Sequence, residues 1–165
     1  ARMLTSILSL LIGLAMAQAA QTPASGTIVT AEEIAATLKQ SIANNVVDQP
    51  IKLTELPGGH KASVALLRRT KGETSALIHN RVTEIYQIVE GAGTIVTGGS
   101  IDNATPTDLT RVNAGPSQTG THKGGESRRV TAKDVIIVPA GMAHRFSELD
   151  GAIVYLVYRF EPKNP

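Results

Sequence analysis

Asp134-Val135-Ile136-Ile137-Val138-Pro139-Ala140-Gly141-Met142-Ala143-His144-Arg145-Phe146 is the stretch whose reading decides the fold. A β-branched run is cut off by a Pro-Ala-Gly turn, which predicts a short strand over Val135 to Val138. The histidine three residues past the turn, His144, then stands just beyond a strand end, where a side chain is free to serve chemistry.

Working outward from it, the chain reads as many short strands punctuated by Gly, Pro, Asn and Asp. The spacing predicts strands over Ile51 to Leu56, Ala62 to Arg68, Ser75 to His79, Glu84 to Val89, Thr94 to Thr97 and Ala152 to Phe160. No helices alternate with them, which argues for an all-β sandwich or barrel over a βαβ fold. Gly98 to Lys133 is poor in apolar residues and is read as a long excursion at one end of the barrel, a lid or binding loop with short strands around Leu109, Val112 and Val130. Ahead of the strands, Thr30-Ala31-Glu32-Glu33 has the form of a capping box. Ile34, Leu38 and Ile42 follow at four-residue spacing, predicting a helix over Ala31 to Ala43 that lays one stripe on the barrel's outside.

The first nineteen residues read as an address. Arg2, an apolar run from Leu4 to Leu14, and Ala15-Met16-Ala17 with Ala17-Gln18-Ala19 form the charged, hydrophobic and small-residue regions of a secretory signal peptide. The run is shorter than the about 20 residues a membrane span needs. The expected organisation is a cleaved signal over 1–19, a leader and helix over 20–45 and one barrel domain over 46–165. The mature protein is expected to be secreted or periplasmic, with no membrane span left once the signal is removed.

Composition narrows the chemistry. The chain has 165 residues, 42% of them apolar and 18% charged, which suits one soluble core. A net charge of +2, with no Trp, three Tyr and two Phe, gives neither the field nor the stacking rings of a nucleic-acid binder. The absence of Cys excludes disulfides, zinc ribbons, iron–sulfur ligation and thiol catalysis. His, carboxylate, hydroxyl or a metal must carry any reaction.

Four histidines occur: His60, His79, His122 and His144. Glu84 lies five residues beyond His79; if Asn80 to Thr83 make a hairpin turn, the two side chains stand side by side on the concave face. His144, arriving from a distant strand, would complete a two-His, one-carboxylate site with open positions. Tyr86, two residues past Glu84, shares its face and would be a hydrogen-bond donor or acid. Arg68 and Arg69 alternate faces, so at most one points inward, and an inward arginine is a natural carboxylate clamp; Arg68 is taken as that residue.

At these residues the sequence resembles the cupins. Their first motif, G-x5-H-x-H-x3–4-E-x6-G, is met by His79, Glu84 and Gly91. Their second, G-x5-P-x-G-x2-H-x3-N, is met by Pro139, Gly141 and His144, with Lys133 in the first glycine's place and Glu148 in the asparagine's. The resemblance implies a single-domain jelly-roll β-barrel with the helix outside, a homodimer, and one divalent transition metal (Fe, Mn, Ni or Zn) held by His79, Glu84 and His144. It implies a small organic substrate inside the barrel and dioxygenase, isomerase or lyase chemistry. One position departs from the pattern: the first histidine of the first motif is Leu77. Three arrangements follow. The triad binds metal alone; His60 or His122 restores a fourth ligand; or the site is metal-free and the protein is a non-catalytic small-ligand binder. Leu77 and Phe146 are taken as apolar contacts for the bound molecule.

Overall fold

The computed structural model describes residues 25–163. The expected signal peptide lies outside these residues. The helix α1 (Ala31–Asn44) starts at the predicted capping box: Glu33 N donates to Thr30 Oγ1 at 3.2 Å and Thr30 N to Glu33 Oε2 at 2.9 Å. It ends at Asn45 in the left-handed region, and Ser41 Oγ donates to Val46 O to fix the exit.

Eleven strands follow: β1 (Asp48–Leu56), β2 (His60–Arg69), β3 (Ala76–His79), β4 (Thr83–Glu90), β5 (Ala92–Thr97), β6 (Ser100–Leu109), β7 (Gly115–Lys123), β8 (Glu126–Thr131), β9 (Val135–Val138), β10 (His144–Leu149) and β11 (Ile153–Glu161). They make two antiparallel sheets, in the orders β1-β2-β11-β4-β9 and β6-β7-β3-β10-β5-β8. The inward residues of both sheets, among them Leu67, Tyr86, Ile88, Ile95, Val130, Phe146, Tyr155 and Val157, form one core between them. The five-stranded sheet is apolar on its outer face as well. Leu66, Val154 and Leu156 there receive Ile34 and Leu38 of α1, while Ile42, the third residue of the predicted stripe, is exposed.

Two expectations are corrected. Gly98 to Lys133 is no loose lid. It supplies β6, β7 and β8, half of the six-stranded sheet, and its polar composition reflects strands that are largely exposed. Thr107 and Leu109 of β6, the short 3-10 turn Thr110–Val112 and Thr119 of β7 reach the cavity of the barrel. The Asn80 to Thr83 turn is a corner, not a hairpin, because β3 and β4 belong to different sheets.

The motif glycines have backbone reasons. Gly91 sits at φ +84°, and a Cβ there would lie 2.2 Å from Ala152 O. Lys133, in the place of another motif glycine, has φ +81°. It is the third residue of the Thr131–Asp134 turn, which Asp134 N closes by donating to Thr131 O at 3.1 Å. A lysine there carries the left-handed penalty of about 1–2 kcal/mol. Lys133→Gly is expected to raise stability by about 0.5–1 kcal/mol after the glycine's larger unfolded-state entropy is counted. The check is a higher urea midpoint at unchanged m-value; an unchanged or lower midpoint would show that the turn carries no such strain.

Candidate metal centre

The two sheets meet chemically at one point inside the barrel. His79 ends β3 and His144 begins β10, both in the six-stranded sheet, while Glu84 projects from β4 across the interior. Alternation along β4 buries Glu84, Tyr86 and Ile88 together. The turn that precedes His144 is pinned to the strands that carry His79 and Glu84: Gly141 N donates to His79 O at 2.8 Å, and Ala140 N to Thr83 Oγ1 at 3.2 Å. Through these bonds the second motif is held in register with the first.

His79, Glu84 and His144 offer one donor atom each within 4.8 Å of one another. His79 Nε2 is 3.3 Å, and His144 Nε2 3.7 Å, from Glu84 Oε2. The other ring nitrogens decide the tautomers. His144 Nδ1 lies 3.0 Å from Met142 O, which only accepts, so Nδ1 carries the proton. Ser117 Oγ, with the carbonyls of Ala114 and Gly115 also in reach, lies 2.8 Å from His79 Nδ1. With each Nδ1 engaged, both rings turn Nε2 toward the same carboxylate oxygen. Backbone carbonyls and hydroxyls that orient histidines in this way are the usual outer partners of a metal site.

The carboxylate is itself held. Burial alone would raise the pKa of Glu84, but the hydrogen bond and charge of His79, then Arg159 and His144, overcome it and keep the group well below the usual carboxylate range. Arg159 of β11 donates through Nε to Oε1 at 2.7 Å and pairs through Nη2 with Asp48 at 2.6 Å. Tyr86 OH donates to Oε2 at 2.5 Å. Burial first, and then the neighbouring carboxylate, push the Tyr86 phenol well above its ordinary pKa, so it stays a neutral donor. Burial also lowers His144 to about 4, against the opposing pull of Glu84, and leaves it neutral at pH 7.

Above the triad is a cavity of about 420 Å³ whose wall includes Leu67, Leu77, Tyr86, Leu109 and Arg69, with Arg111 at its rim. Leu77 lines it, paired with His144 across β3 and β10. The remaining predicted residues lie elsewhere. The arginine in the cavity is Arg69, in line with Leu67; Arg68 alternates to the opposite face, that of Leu66. Phe146 does not line the cavity. It is buried behind it, 6.4 Å from Tyr86 and 5.3 Å from Tyr155 between ring centroids. His60 is exposed and accepts from Lys163 N at 3.0 Å, and His122 Nε2 donates to Gly98 O at 2.8 Å, so neither supplies a fourth ligand atom. The sequence reading missed Arg159, Asp48 and Ser117. The available signal was a lone charge on the face of β11 shared by Ile153, Tyr155 and Val157.

Fold and site together define a two-sheet jelly-roll barrel with a buried His-Glu-His cluster that is able to take a metal ion. A two-sheet jelly-roll barrel is what the resemblance to the cupins implies, and the segments that carry its two motifs meet at one point inside it. A Bacillus halodurans protein of known structure shares the fold, with a TM-score of 0.52 and 16% identity over 87% of this chain and 88% of that one. An oxalate oxidase matches at 25% identity and a TM-score of 0.40 over 63% of this chain and 43% of its own. A cupin protein of Bacteroides fragilis matches at 17% identity and 0.41 over 61% and 65%. The chain thus spans less than two thirds of either of the last two. No protein-family model and no curated protein matches the sequence. Among the described residues no helix is long and apolar enough to cross a membrane.

Proposed function

We propose that this chain is an exported, metal-dependent cupin enzyme that acts on a small organic molecule inside the barrel. The observation that carries this reading is the arrangement of the rings: two Nε2 atoms and a carboxylate oxygen converge in a buried pocket, a donor set suited to Fe, Mn, Ni or Zn in the divalent state. When bound, such an ion supplies Lewis-acid polarisation of a substrate oxygen, and three protein donors leave coordination positions for that substrate. Dioxygenase, isomerase and lyase chemistry share this requirement. Arg159 occupies Glu84 Oε1, so the carboxylate serves through Oε2 alone. Tyr86 holds its proton on Oε2 and orients that oxygen.

Leu77 favours a second reading, a metal-free binder, because it puts an isobutyl group where the cupin motif has its first histidine. Elemental analysis decides between the two, on protein made in an exporting host and purified without chelator or a histidine tag. About one transition metal per chain is expected, lost in His79→Ala and His144→Ala variants that keep the wild-type circular dichroism. No metal at any supply, or unchanged metal in His144→Ala, would transfer the protein to the binder class. The intact mass of the same preparation tests export, which requires loss of residues 1–17 or 1–19.

A further inference from the structure

The charged groups around the cavity are not balanced in a way that suits a neutral guest. Its two carboxylates, Asp48 and Glu84, are both tied to Arg159. That trio carries one negative charge, which a divalent ion on the triad would reverse. Arg69 is matched by Glu73 at 2.8 Å, but Glu73 is not part of the cavity wall. Arg111 at the rim is exposed and has no ion-pair partner among the described residues.

Arg69 is also fixed in place with donors to spare. Nε donates to Tyr155 OH at 2.8 Å and Nη1 pairs with Glu73, whose other oxygen accepts from Phe146 N at 2.9 Å. Nη2 has no partner among the described residues. A guanidinium braced on two sides, with Nη2 unpartnered on a residue of the cavity wall, is pre-organised to donate to an anionic oxygen. Beside it Leu67, Leu77 and Leu109 present apolar surface and no hydrogen-bonding groups.

The geometry points to an organic carboxylate as the molecule this cavity takes, its anionic end on Arg69 and its apolar body against Leu77 and Leu109, with Arg111 attracting it at the rim. This deepens the enzyme reading above and rests on it for the chemistry, but not for the binding. Arg69 is here a substrate-binding residue, and Leu77 a specificity residue whose side chain replaces a polar ligand with an apolar wall.

The test compares isosteric pairs that differ by one charge, butyrate against butyramide and benzoate against benzamide, by calorimetric titration of protein loaded with Mn or Zn. At least one carboxylate is expected to bind roughly ten-fold or more tighter than its amide, the worth of a hydrogen bond to a charged group. The preference should vanish in Arg69→Gln, persist in Arg68→Gln, and weaken with rising salt less steeply in Arg111→Gln than in wild type. Metal content of each variant is measured alongside, so that loss of the ion is not mistaken for loss of the clamp. Equal binding of carboxylate and amide, or a preference untouched by Arg69→Gln, would overturn the inference. If Arg69→Gln does not fold, the same pairwise comparison in chelator-treated wild type, where no ion competes for the carboxylate, decides it: no preference there would overturn the inference. Should the wild type hold no metal, an Arg69-dependent preference in the metal-free protein would uphold the anion site while overturning the metal reading.

Discussion

Glu84→Gln is expected to lose metal binding and to destabilise the protein by about 3 kcal/mol, the low end of the cost of breaking a buried ion pair. Arg159 is 3% exposed and Glu84 1%, so neither charge has water to fall back on. An amide offers Arg159 an acceptor without a charge, and its NH2 group, placed where Oε2 was, no longer accepts from the Tyr86 hydroxyl. The cost stays near the lower limit because Asp48 remains paired with Arg159. Two measurements check it: a urea titration, and metal content on the same sample. Adding Arg159→Met to Glu84→Gln is expected to recover neither stability nor metal, since it takes from Asp48 its partner and restores no ligand. A single variant within 1 kcal/mol of wild type would mean that the pair is not desolvated as the structure shows.

Acid is expected to cost the metal-free protein about 3 kcal/mol between pH 6.5 and 4. His144 is lowered from 6.5 to about 4, mainly by burial. Over that window the unfolded chain takes up a proton that the folded chain refuses, so stability falls as pH falls and levels off near 4. Glu84 acts at the lower end. Its depressed folded pKa gives stability that is complete above the unfolded carboxylate value and is lost as the pH drops further. The measurement is the urea midpoint of chelator-treated protein from pH 7 to 4, beside His144→Gln. The variant has no imidazole to charge and should lose the upper slope while keeping the lower one. A wild-type midpoint flat from pH 7 to 4.5 would contradict the burial of His144.

How much of this was legible beforehand depended on which faces of a strand are covered. β4 has one inward face, and its alternation placed Glu84 and Tyr86 together correctly. The histidine after the Pro-Ala-Gly turn was equally readable, because the turn fixes its own geometry. β2 and β11 are covered on both sides, by the core and by α1, so Leu66 and Leu67 are both buried, as are Tyr155 and Leu156. A strand buried on both faces shows no period of two. Hence Arg68 could not be told from Arg69, and Arg159 was not recognised as inward. Phe146 was misplaced for a different reason: being buried and being in contact with a cavity are distinct, and only packing against Tyr86 and Tyr155 separates them. The strands between Gly98 and Lys133 were hidden by their polarity, since much of their surface faces water.

The last of the described strands is the middle strand of its sheet. β11 pairs with β2 on one side and β4 on the other, joining Ile153–Glu161 to partners made some ninety and seventy residues earlier. Until Ile153–Glu161 is synthesised, those two strands have no common neighbour, and their apolar edges stay open to wrong partners. A topology so rich in distant pairings belongs to the slow end of the folding range, milliseconds to seconds. Because Arg159 rides on β11, Glu84 meets its counter-charge only when this strand docks. The order of assembly therefore brings the five-stranded sheet and the charge balance of the His-Glu-His cluster to completion in one closing event, and a chain cut short before Ile153 would have neither.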